Sequence, residues 1–362
     1  MAETVTVEVA GTPTYTVIIG ADLDPAEEVS RFLESGVCAV LTDSNVGPLH
    51  AESVTGSLKR SGWRVADVIE ILAGESLKDL STYGSAIRRL ARSGLTRDGT
   101  LFVLGGGVVG DLGGFVAGTF MRGINLVALP TSLLAMVDSS VGGKVGVDLP
   151  EGKNLVGTFV RPRAVVANLG WLRTLPKREL SNGLAEVIKM GLLCGGEYLI
   201  DLNLIDRVMD LEPEALLRLV VRPVRFKAEV VAEDEFESGR RAILNYGHTI
   251  GHGLEAVSGY AFSHGEAVGV GMVAAAGISE EKLGTTLKDL HEDLLLSAGL
   301  PVKTPRVSVE KVLAAMGRDK KRRASDSTVE HRFVLLEDVG RPLYGVRVGE
   351  DEVRRAIEAV VE

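Results

Sequence analysis

The chain has 362 residues, of which 45% are hydrophobic and 25% charged, the balance of an ordinary globular protein with room for two cores. Its formal net charge of −9 argues against nucleic acid as the main partner, because phosphate backbones attract basic surfaces. No apolar run approaches the roughly 20 residues of a membrane helix, and residues 1–11 lack the features of a secretory signal. Cys38 and Cys194 both lie in apolar stretches, which indicates buried thiols in a reducing compartment, so we expect a cytoplasmic protein.

The first half of the chain alternates strand-like and helix-like segments. Alternating or continuous apolar residues predict strands at 5–9, 37–42, 65–72, 100–104, 125–129 and 164–169. Apolar residues three and four apart predict a helix at 77–91. Alternation of this kind predicts a mostly parallel α/β sheet.

Beyond about residue 175, the pattern becomes helical. Helical periodicity covers 177–193, 213–232, 240–257 and 267–283, followed by a short strand-like piece at 333–336 and a final helix from Glu350. The basic stretch at 319–327 predicts a loop. We therefore expect a second, all-α domain.

A glycine-rich turn, TLFVLGGGVVGDLGGF, occupies residues 100–115. Gly105, Gly107 and Gly110 fit the G-x-G-x-x-G pattern, in which glycines bring the backbone close to a pyrophosphate at a helix N-terminus. The motif is not at the first strand, however, and no acidic residue ends the next strand. A tight turn without a ligand therefore stands beside dinucleotide binding as an alternative. Asp43, at the end of a predicted strand, is a candidate for the adenosine ribose or for a helix N-cap.

Polar residues in the helical half are spaced 4, 3, 4 and 3 residues apart, as on one face of a helix. They are Arg241, Asn245, His248, His252 and Glu255, with Glu237 one turn earlier. Their neighbours are apolar, so a buried polar stripe of this kind requires partners.

Three histidines within 17 residues favour a metal site over separate, satisfied core histidines. Spacing alone nominates His248 and His252 as an HxxxH ligand pair, with His264 nearby. Glu186 could supply a carboxylate, although a solvated pair with Lys189 is the alternative. Several basic residues lie in apolar or glycine-rich segments, which suggests that they bind the phosphate and carboxylate groups of a ligand. Any one of them could instead be an ordinary surface charge. They are Lys144, Lys153, Lys189, Lys227, Arg241 and Arg122.

Taken together, five segments closely resemble the 3-dehydroquinate synthase family. They are GGGVVGDLGGFVAGTFMRG, PTSLLAMVDSSVGGKVGVDLPEGKNLVGTF, LPKRELSNGLAEVIKMGLL, RRAILNYGHTIGHGLE and HGEAVGVGM. The likeness runs in order from Asp43 to Asp319. It implies a homodimeric enzyme of the shikimate pathway that converts 3-deoxy-D-arabino-heptulosonate 7-phosphate to 3-dehydroquinate and phosphate. The implied reaction comprises transient oxidation by NAD, phosphate elimination, re-reduction and an intramolecular aldol closure.

The resemblance also implies a role for individual residues. The ligands of a zinc or cobalt ion would be Glu186, His248 and His264, which replaces the HxxxH pair and leaves His252 on the substrate side. NAD contacts would fall on Asp43, Asn45, Glu75, Lys78, Gly106, Gly107, Val108, Asp111, Thr131, Ser132, Lys144, Lys153, Thr174, Leu175 and Glu179. Substrate or catalytic contacts would fall on Asp138, Lys144, Lys153, Asn154, Lys189, Lys227, Glu237, Arg241, Asn245 and His252, with Lys320 or Lys321. Arg122 would reach across a dimer interface.

The chain departs from the usual family pattern in small ways, among them Ser132 in place of threonine and a longer loop after Lys321. Ser132 keeps a hydroxyl group, so NAD binding is still expected. The resulting expectation is an α/β Rossmann-like, NAD-binding domain over 1–175 plus an all-α domain over 176–362 that binds metal and substrate.

Three rival functions stay open at this point. They are a related cyclase acting on sedoheptulose 7-phosphate or glucose 6-phosphate, a metal-dependent polyol dehydrogenase, and a catalytically silent ligand-binding module. Lys227, Arg241, Asn245 and His252 together favour the carboxylate-bearing substrate.

Overall fold

The structure is a computed structural model that describes residues 2–9, 12–259, 261–305, 307–316 and 330–362. It divides into two compact units: unit 1 comprises Met1–Glu179 and Leu216–Ala232, and unit 2 comprises Leu180–Ala215 and Glu233–Glu362. The predicted domain boundary after residue 175 stays a prediction.

The described strands are, in chain order, β1 (Ala2–Val9), β2 (Thr12–Gly20), β3 (Val37–Asp43), β4 (Arg64–Ile71), β5 (Thr100–Gly105), β6 (Asn125–Pro130), β7 (Lys144–Leu149), β8 (Gly152–Phe159), β9 (Ala164–Asn168), β10 (Glu330–Asp338) and β11 (Arg341–Gly349). The described α-helices are α1 (Pro25–Val29), α2 (Glu52–Arg60), α3 (Leu80–Ser93), α4 (Gly107–Thr119), α5 (Lys177–Cys194), α6 (Glu197–Asp201), α7 (Ile205–Met209), α8 (Pro213–Glu233), α9 (His248–Val257), α10 (His264–Leu283), α11 (Lys288–Ser297), α12 (Val309–Met316) and α13 (Glu350–Ala359). Short 3₁₀ or π-helical turns separate some of them.

Unit 1 is built on a seven-stranded sheet in the order β1-β2-β9-β6-β5-β3-β4. All neighbouring strands are parallel except β1, which runs antiparallel to β2. Both faces of the sheet are covered: in β5, Leu101 and Val103 belong to one apolar core, while Phe102 and Leu104 belong to another. Burial on both faces explains why these strands are continuous apolar runs in the sequence. The predicted parallel α/β sheet is confirmed.

The strand order places a topological switch point at β3 and β5. After β3 the chain adds β4 on one side of it, and then returns to add β5 on the other side. In open α/β sheets, ligands bind outside the carboxyl ends of the strands at such a point. Asp43 ends β3 and Gly105 ends β5, so both lie at this position.

Unit 2 is helical, as predicted, and also contains the antiparallel hairpin β10–β11. Helix α9 packs against α10 and α12, and β10 packs against α10. The predicted strand at 333–336 is the middle of β10, whereas β11 was not predicted because most of its side chains are exposed. No helix among the described residues is long and apolar enough to cross a membrane.

Two predictions about local structure are wrong. Residues 240–257 do not form one helix: Arg240–Asn245 is a separate 3₁₀ turn, and α9 begins at His248 after Gly247 adopts a left-handed φ of 77°. Cys194 is exposed rather than buried, because it is the last residue of α5 and lies where the helix ends.

Strands β2, β7 and β8 were also missed. In the hairpin β7–β8, much of the chain is exposed and several residues are glycines, which resembles a loop in the sequence.

Candidate active site

The glycine-rich turn joins β5 directly to α4. Gly106 is the N-cap residue and has no side chain to accept a hydrogen bond from the first-turn amides, so these amides can face an anion. A Cβ atom built on Gly110 would meet nothing within 4 Å, which leaves room beside the turn. The turn therefore fits a pyrophosphate group.

Two other glycines of this segment bring helix and strand together. A Cβ atom on Gly105 would lie 2.6 Å from the Cβ of Val109, and one on Gly113 would lie 2.7 Å from the Cγ1 of Val103. Because real Cβ contacts are never so short, any side chain here would push α4 away from β5.

A pocket opens beside this turn within unit 1. Its lining includes Gly105, Gly106, Gly110, Pro130, Ser139 and Lys144. Thr131 is buried and its backbone N–H donates to the carbonyl of Gly105 at 3.0 Å, while the Ser132 hydroxyl accepts from the N–H of Ala135 at 3.3 Å. Thus the residues predicted at the ends of β5 and β6 lie together.

Asp43 caps the turn that follows β3. Its Oδ1 accepts hydrogen bonds from the backbone N–H groups of Asn45 (2.8 Å) and Val46 (2.9 Å). Asp43 therefore caps a turn rather than the helix that follows, whose N-cap residue is Val46. These two hydrogen bonds use one carboxylate oxygen, so they are compatible with a ribose contact through the other.

Lys78 is the centre of a buried charge cluster in unit 1. Its Nζ lies 3.0 Å from Asp111 Oδ2, 2.8 Å from Asn154 Oδ1, 3.6 Å from Glu75 Oε1 and 3.7 Å from Asp148 Oδ1. Burial alone would lower the pKa of Lys78, but the surrounding carboxylates outweigh it and raise the pKa, so the ammonium stays charged.

The hairpin β7–β8 adds two more predicted residues to this cluster. Lys153 Nζ lies 2.9 Å from Glu75 Oε1. Asn154 has a left-handed φ of 52°, and its backbone N–H donates to Asp148 Oδ1 at 2.7 Å. Asp148 was missed by sequence reasoning, although its place in GVDLPEGKN beside Lys153 and Asn154 was an available signal.

Thr174 lies after β9 in a short 3₁₀ turn. Its hydroxyl donates to the carbonyl of Trp171 at 2.8 Å and lies 2.8 Å from Nε2 of His50, which is buried. Leu175 follows as the C-cap residue of this turn, and Glu179 lies in the first turn of α5. His50 was also missed, because a single histidine in an apolar segment carries no distinctive spacing.

Another predicted cation in unit 1 lies on α8. Lys227 is 6% exposed, and its Nζ lies 2.6 Å from Asp138 Oδ1 and 2.7 Å from the Asp138 carbonyl. Lys144 is exposed at the start of β7, and Arg122 is exposed in a turn where its own φ is 65°. Lys227 and Asp138 are therefore paired, whereas Lys144 and Arg122 lie at the surface of the chain.

The central part of α5 in unit 2 carries a buried ion pair. Glu186 and Lys189 are 0% and 1% exposed, and the Lys189 ammonium contacts Glu186 Oε2 one helical turn away. A solvated Glu–Lys pair is therefore excluded. Neither Glu186 oxygen makes a hydrogen bond of acceptable geometry to another described residue, which is an unusual position for a buried carboxylate.

Two histidines approach the same carboxylate. Nε2 of His248 lies 3.6 Å from Glu186 Oε1, and Nε2 of His264 lies 3.5 Å from that atom. One ligand atom from each of the three residues lies within 4.8 Å of the others.

The opposite ring nitrogens have orienting partners. Nδ1 of His248 lies 3.0 Å from the carbonyl of Tyr246, which can only accept, so Nδ1 carries the proton and Nε2 has the lone pair. Nδ1 of His264 lies 3.7 Å from Glu255 Oε2. A carbonyl or carboxylate behind a ligating histidine is the usual arrangement in metal sites.

Local sequence determines where His264 lies. Ser263 and Glu266 form a capping box, in which the Ser263 hydroxyl accepts from the N–H of Glu266 and the Glu266 carboxylate accepts from the N–H of Ser263. This box starts α10 at His264, three residues before the predicted start of the helix.

The charges of the site follow from these contacts. Burial alone would raise the pKa of Glu186, but Lys189 and His264 lower it to about 2. Burial, together with the charge of Lys189, lowers the pKa of His248 well below its usual range. Burial would likewise lower the pKa of His264, but Glu186 and Glu255 raise it to about 9.

These three residues fit a divalent transition-metal ion. Two imidazole nitrogens and one carboxylate oxygen are the donors that zinc takes in catalytic sites with an open fourth position. The buried Glu186 carboxylate, already paired with Lys189, would gain a metal ion as a second partner. His252, Glu255 and His264 form a second group of potential ligands, and the ring of His252 lies 5.2 Å from that of His248.

Arg241 and Asn245 lie on the 3₁₀ turn before α9 rather than on α9 itself. Arg241 is 3% exposed and its guanidinium donates to the carbonyl of Glu235. The Asn245 side chain donates to Glu237 Oε1. The predicted stripe on one continuous helix is therefore wrong, because Gly247 interrupts it, yet Asn245 and Glu237 do lie together. Lys320 and Lys321 fall outside the described residues.

Two family models match consecutive parts of the chain. The 3-dehydroquinate synthase N-terminal model matches residues 68–182, and the 3-dehydroquinate synthase C-terminal model matches residues 183–322. A 3-dehydroquinate synthase from Xanthomonas oryzae pv. oryzae (strain PXO99A) is 45% identical over 352 residues, which cover 92% of this chain and 93% of the relative.

Solved structures of other sugar-phosphate cyclases have the same fold. A 2-deoxy-scyllo-inosose synthase complexed with carbaglucose-6-phosphate, NAD+ and Co2+ superposes with a TM-score of 0.88 at 26% identity, covering 99% of this chain and 100% of that chain. The 2-epi-5-epi-valiolone synthase from Streptomyces hygroscopicus subsp. jinggangensis 5008, with NAD+ and Zn2+ bound, has a TM-score of 0.84 at 25% identity and 96% coverage of both chains. With both halves matched by its models and a relative at 45% identity over most of its length, this chain belongs to the 3-dehydroquinate synthase family.

Proposed function

We propose that this chain converts 3-deoxy-D-arabino-heptulosonate 7-phosphate to 3-dehydroquinate and phosphate, using NAD that is regenerated in each turnover. The observation that carries the proposal is the cluster of Glu186, His248 and His264, in a chain that shares 45% identity with a 3-dehydroquinate synthase. Solved cyclases with 25–26% identity to this chain contain NAD+ and either Co2+ or Zn2+, which supports the same two cofactors here.

Glu186, His248 and His264 would hold the metal ion, and the residues around the switch point would hold NAD. When bound, the ion polarises a substrate hydroxyl and NAD accepts and returns a hydride. The chain contributes the surroundings: Lys189 balances the charge of Glu186, while the carbonyl of Tyr246 and the carboxylate of Glu255 orient the two histidines.

We assign NAD binding to the turn at Gly106 and Gly107 together with Asp43, Thr131 and Ser132 of unit 1. Support comes from the topological switch point and from the space beside Gly110. The remaining NAD contacts that the resemblance implies are Asn45, Glu75, Lys78, Val108, Asp111, Lys144, Lys153, Thr174, Leu175 and Glu179.

The buried cations are proposed to recognise the phosphate and carboxylate of the substrate. The side chains of Lys227 and Arg241 are both almost fully buried. A buried cation favours an anionic ligand because water does not solvate its charge. Asp138, which is hydrogen-bonded to Lys227, would share that cation with the substrate. The remaining proposed substrate contacts are Lys144, Lys153, Asn154, Lys189, Glu237, Asn245 and His252.

Assembly is proposed on the family resemblance, whereas the domain limits and the location are proposed on the sequence. We propose a homodimer in which Arg122 reaches the partner subunit, a cytoplasmic enzyme, an NAD-binding domain over 1–175 and a metal- and substrate-binding domain over 176–362. The described turn supports the role of Arg122 only in that its side chain is exposed.

The second candidate function is another sugar-phosphate cyclase, since two solved cyclases with other products share the fold. Identity to these is 25–26%, against 45% for a 3-dehydroquinate synthase, which favours the heptulosonate substrate.

The test is identification of the product by NMR. Purified protein is incubated with NAD and zinc, and separately with heptulosonate 7-phosphate, sedoheptulose 7-phosphate or glucose 6-phosphate. We expect 3-dehydroquinate and phosphate from the first substrate and little turnover of the other two. Turnover confined to either of the other substrates would reject the proposal in favour of a related cyclase.

A further inference from the structure

Tyr246 and His291 form a buried pair in unit 2, and neither side chain has been assigned a part in the proposed reaction. Both side chains are 0% exposed. The Tyr246 hydroxyl lies 2.7 Å from Nε2 of His291, and the two rings meet edge to face with centroids 5.7 Å apart. Two buried polar groups that satisfy each other so closely fix both side chains in place.

The direction of this hydrogen bond is determined by the other nitrogen of His291. Nδ1 lies 2.7 Å from the carbonyl of Leu287, which can only accept, so Nδ1 carries the proton. Burial lowers the pKa of His291 to about 4, and the ring is therefore neutral near pH 7. Nε2 must then accept, and the Tyr246 hydroxyl donates.

The backbone of Tyr246 connects this pair to the metal site. Its carbonyl accepts the Nδ1–H of His248 at 3.0 Å, which leaves Nε2 of His248 directed toward Glu186. The next residue, Gly247, has a φ of 77°, and a Cβ atom there would lie 2.5 Å from Cγ of Met272. The carbonyl thus lies between an anchored tyrosine side chain and a tight turn that has no room for a side chain.

We infer that His291 positions the metal ligand His248 by holding Tyr246, whose carbonyl sets the tautomer and ring direction of His248. This inference rests on the proposed metal-binding role of His248. His291 contacts no proposed ligand, so it is a positioning residue that acts entirely through Tyr246.

The test compares metal binding in variants that differ by one hydrogen bond. Tyr246→Phe removes only the hydroxyl, His291→Leu removes the acceptor, and His291→Gln keeps an acceptor in a similar volume. We expect the first two to weaken zinc binding by about 10- to 100-fold and to change the visible absorption spectrum of the bound Co2+, as loss of an outer partner usually does. The double variant should bind no more weakly than either single variant, while His291→Gln should retain affinity closer to that of the unsubstituted chain.

Tyr83→Phe is the matched control. It removes a tyrosine hydroxyl that bonds Thr119 Oγ1 at 2.9 Å in unit 1, and it should leave zinc affinity and the Co2+ spectrum unchanged.

The inference is wrong if Tyr246→Phe and His291→Leu lower the melting temperature but leave zinc affinity and the Co2+ spectrum as in the unsubstituted chain. The same measurement separates this failure from that of the proposed function. If the unsubstituted chain binds no metal, the proposed metal site itself is wrong and the inference falls with it.

Discussion

Glu186 combines complete burial with a full negative charge. Lys189 and His264 keep its pKa at about 2, and their positive charges balance its own. If one partner of a buried ion pair is removed, the other charge is left without compensation in an apolar environment. Substitutions at this residue therefore test both the metal site and its electrostatic balance.

We predict that Glu186→Gln lowers zinc affinity by more than about 100-fold, since it removes a ligand rather than an outer partner. Glu255→Gln should lower it by only about 10- to 100-fold, because that carboxylate orients His264. Metal content per folded protein, measured by mass spectrometry beside circular dichroism, distinguishes the two effects.

The control for this comparison is Glu28→Gln, which changes a buried glutamate of α1 and should leave metal content unchanged. If Glu255→Gln abolished binding while Glu186→Gln did not, the ion would belong to the group of His252, Glu255 and His264 instead.

Zinc binding should release protons in a pH-dependent manner. The raised pKa of His264, about 9, means that this ring is protonated near pH 7, whereas His248 is neutral and Glu186 is ionised. Binding near pH 7 should therefore displace about one proton from the three ligands per ion, and this release should disappear as the pH rises through about 9. Calorimetry in buffers of different ionisation enthalpy measures it, and no release near pH 7 would contradict the assignment of His264 as a ligand.

At the scale of elements, α4 is positioned by glycines with two different tasks. Gly113 lets the helix pack tightly on β5, while a Cβ atom at Gly110 would meet nothing within 4 Å. Single alanine substitutions within this helix can therefore distinguish the effect of a glycine on helix packing from its effect on ligand binding.

We predict that Gly113→Ala destabilises the protein by about 1–3 kcal/mol, because its Cβ would overlap Val103. Gly110→Ala should weaken NAD binding without loss of stability, since only a ligand would meet its methyl group. Chemical denaturation and NAD titration measure the two quantities.

Gly84→Ala, in α3 with no neighbour within 4 Å, is the control and should raise stability by up to about 1 kcal/mol with NAD affinity unchanged. If Gly110→Ala leaves the NAD affinity unchanged, the pyrophosphate of NAD does not bind at this turn.

At the scale of the whole molecule, the parallel sheet could be predicted from the sequence because its strands are buried on both faces and therefore read as apolar runs. The glycine-rich turn was likewise visible, since its spacing is local. The hairpin β7–β8 was not predicted: Val145, Val147 and Leu149 do alternate in β7, but glycines interrupt both strands and most residues of β8 are exposed.

The three proposed metal ligands could not be predicted from residue spacing alone. Spacing favoured His248 with His252, four residues apart, whereas Glu186 comes from another helix and His264 from the start of a third. Only the family resemblance nominated the three together. The turn at Gly247 could not be predicted from the sequence either, because a glycine in the left-handed conformation does not interrupt the pattern of apolar residues.

If the enzyme is a homodimer in which Arg122 serves the partner's site, two inactive variants should complement each other. Arg122→Ala and Glu186→Gln, co-expressed, should form mixed dimers in which one site has both an intact metal cluster and an intact arginine. Random assembly then restores about a quarter of the sites. Absence of any recovery, in mixed dimers verified by mass, would place Arg122 in its own subunit's site or outside the reaction.

The most direct test of the account is a count of turnovers per NAD. The protein, loaded with zinc and a substoichiometric amount of NAD, is given excess heptulosonate 7-phosphate while phosphate release and NADH absorbance are followed together. Regeneration of NAD within each turnover predicts many phosphates per NAD and no accumulation of NADH. Phosphate release that stops at one per NAD, or NADH that accumulates in proportion to phosphate, would contradict it.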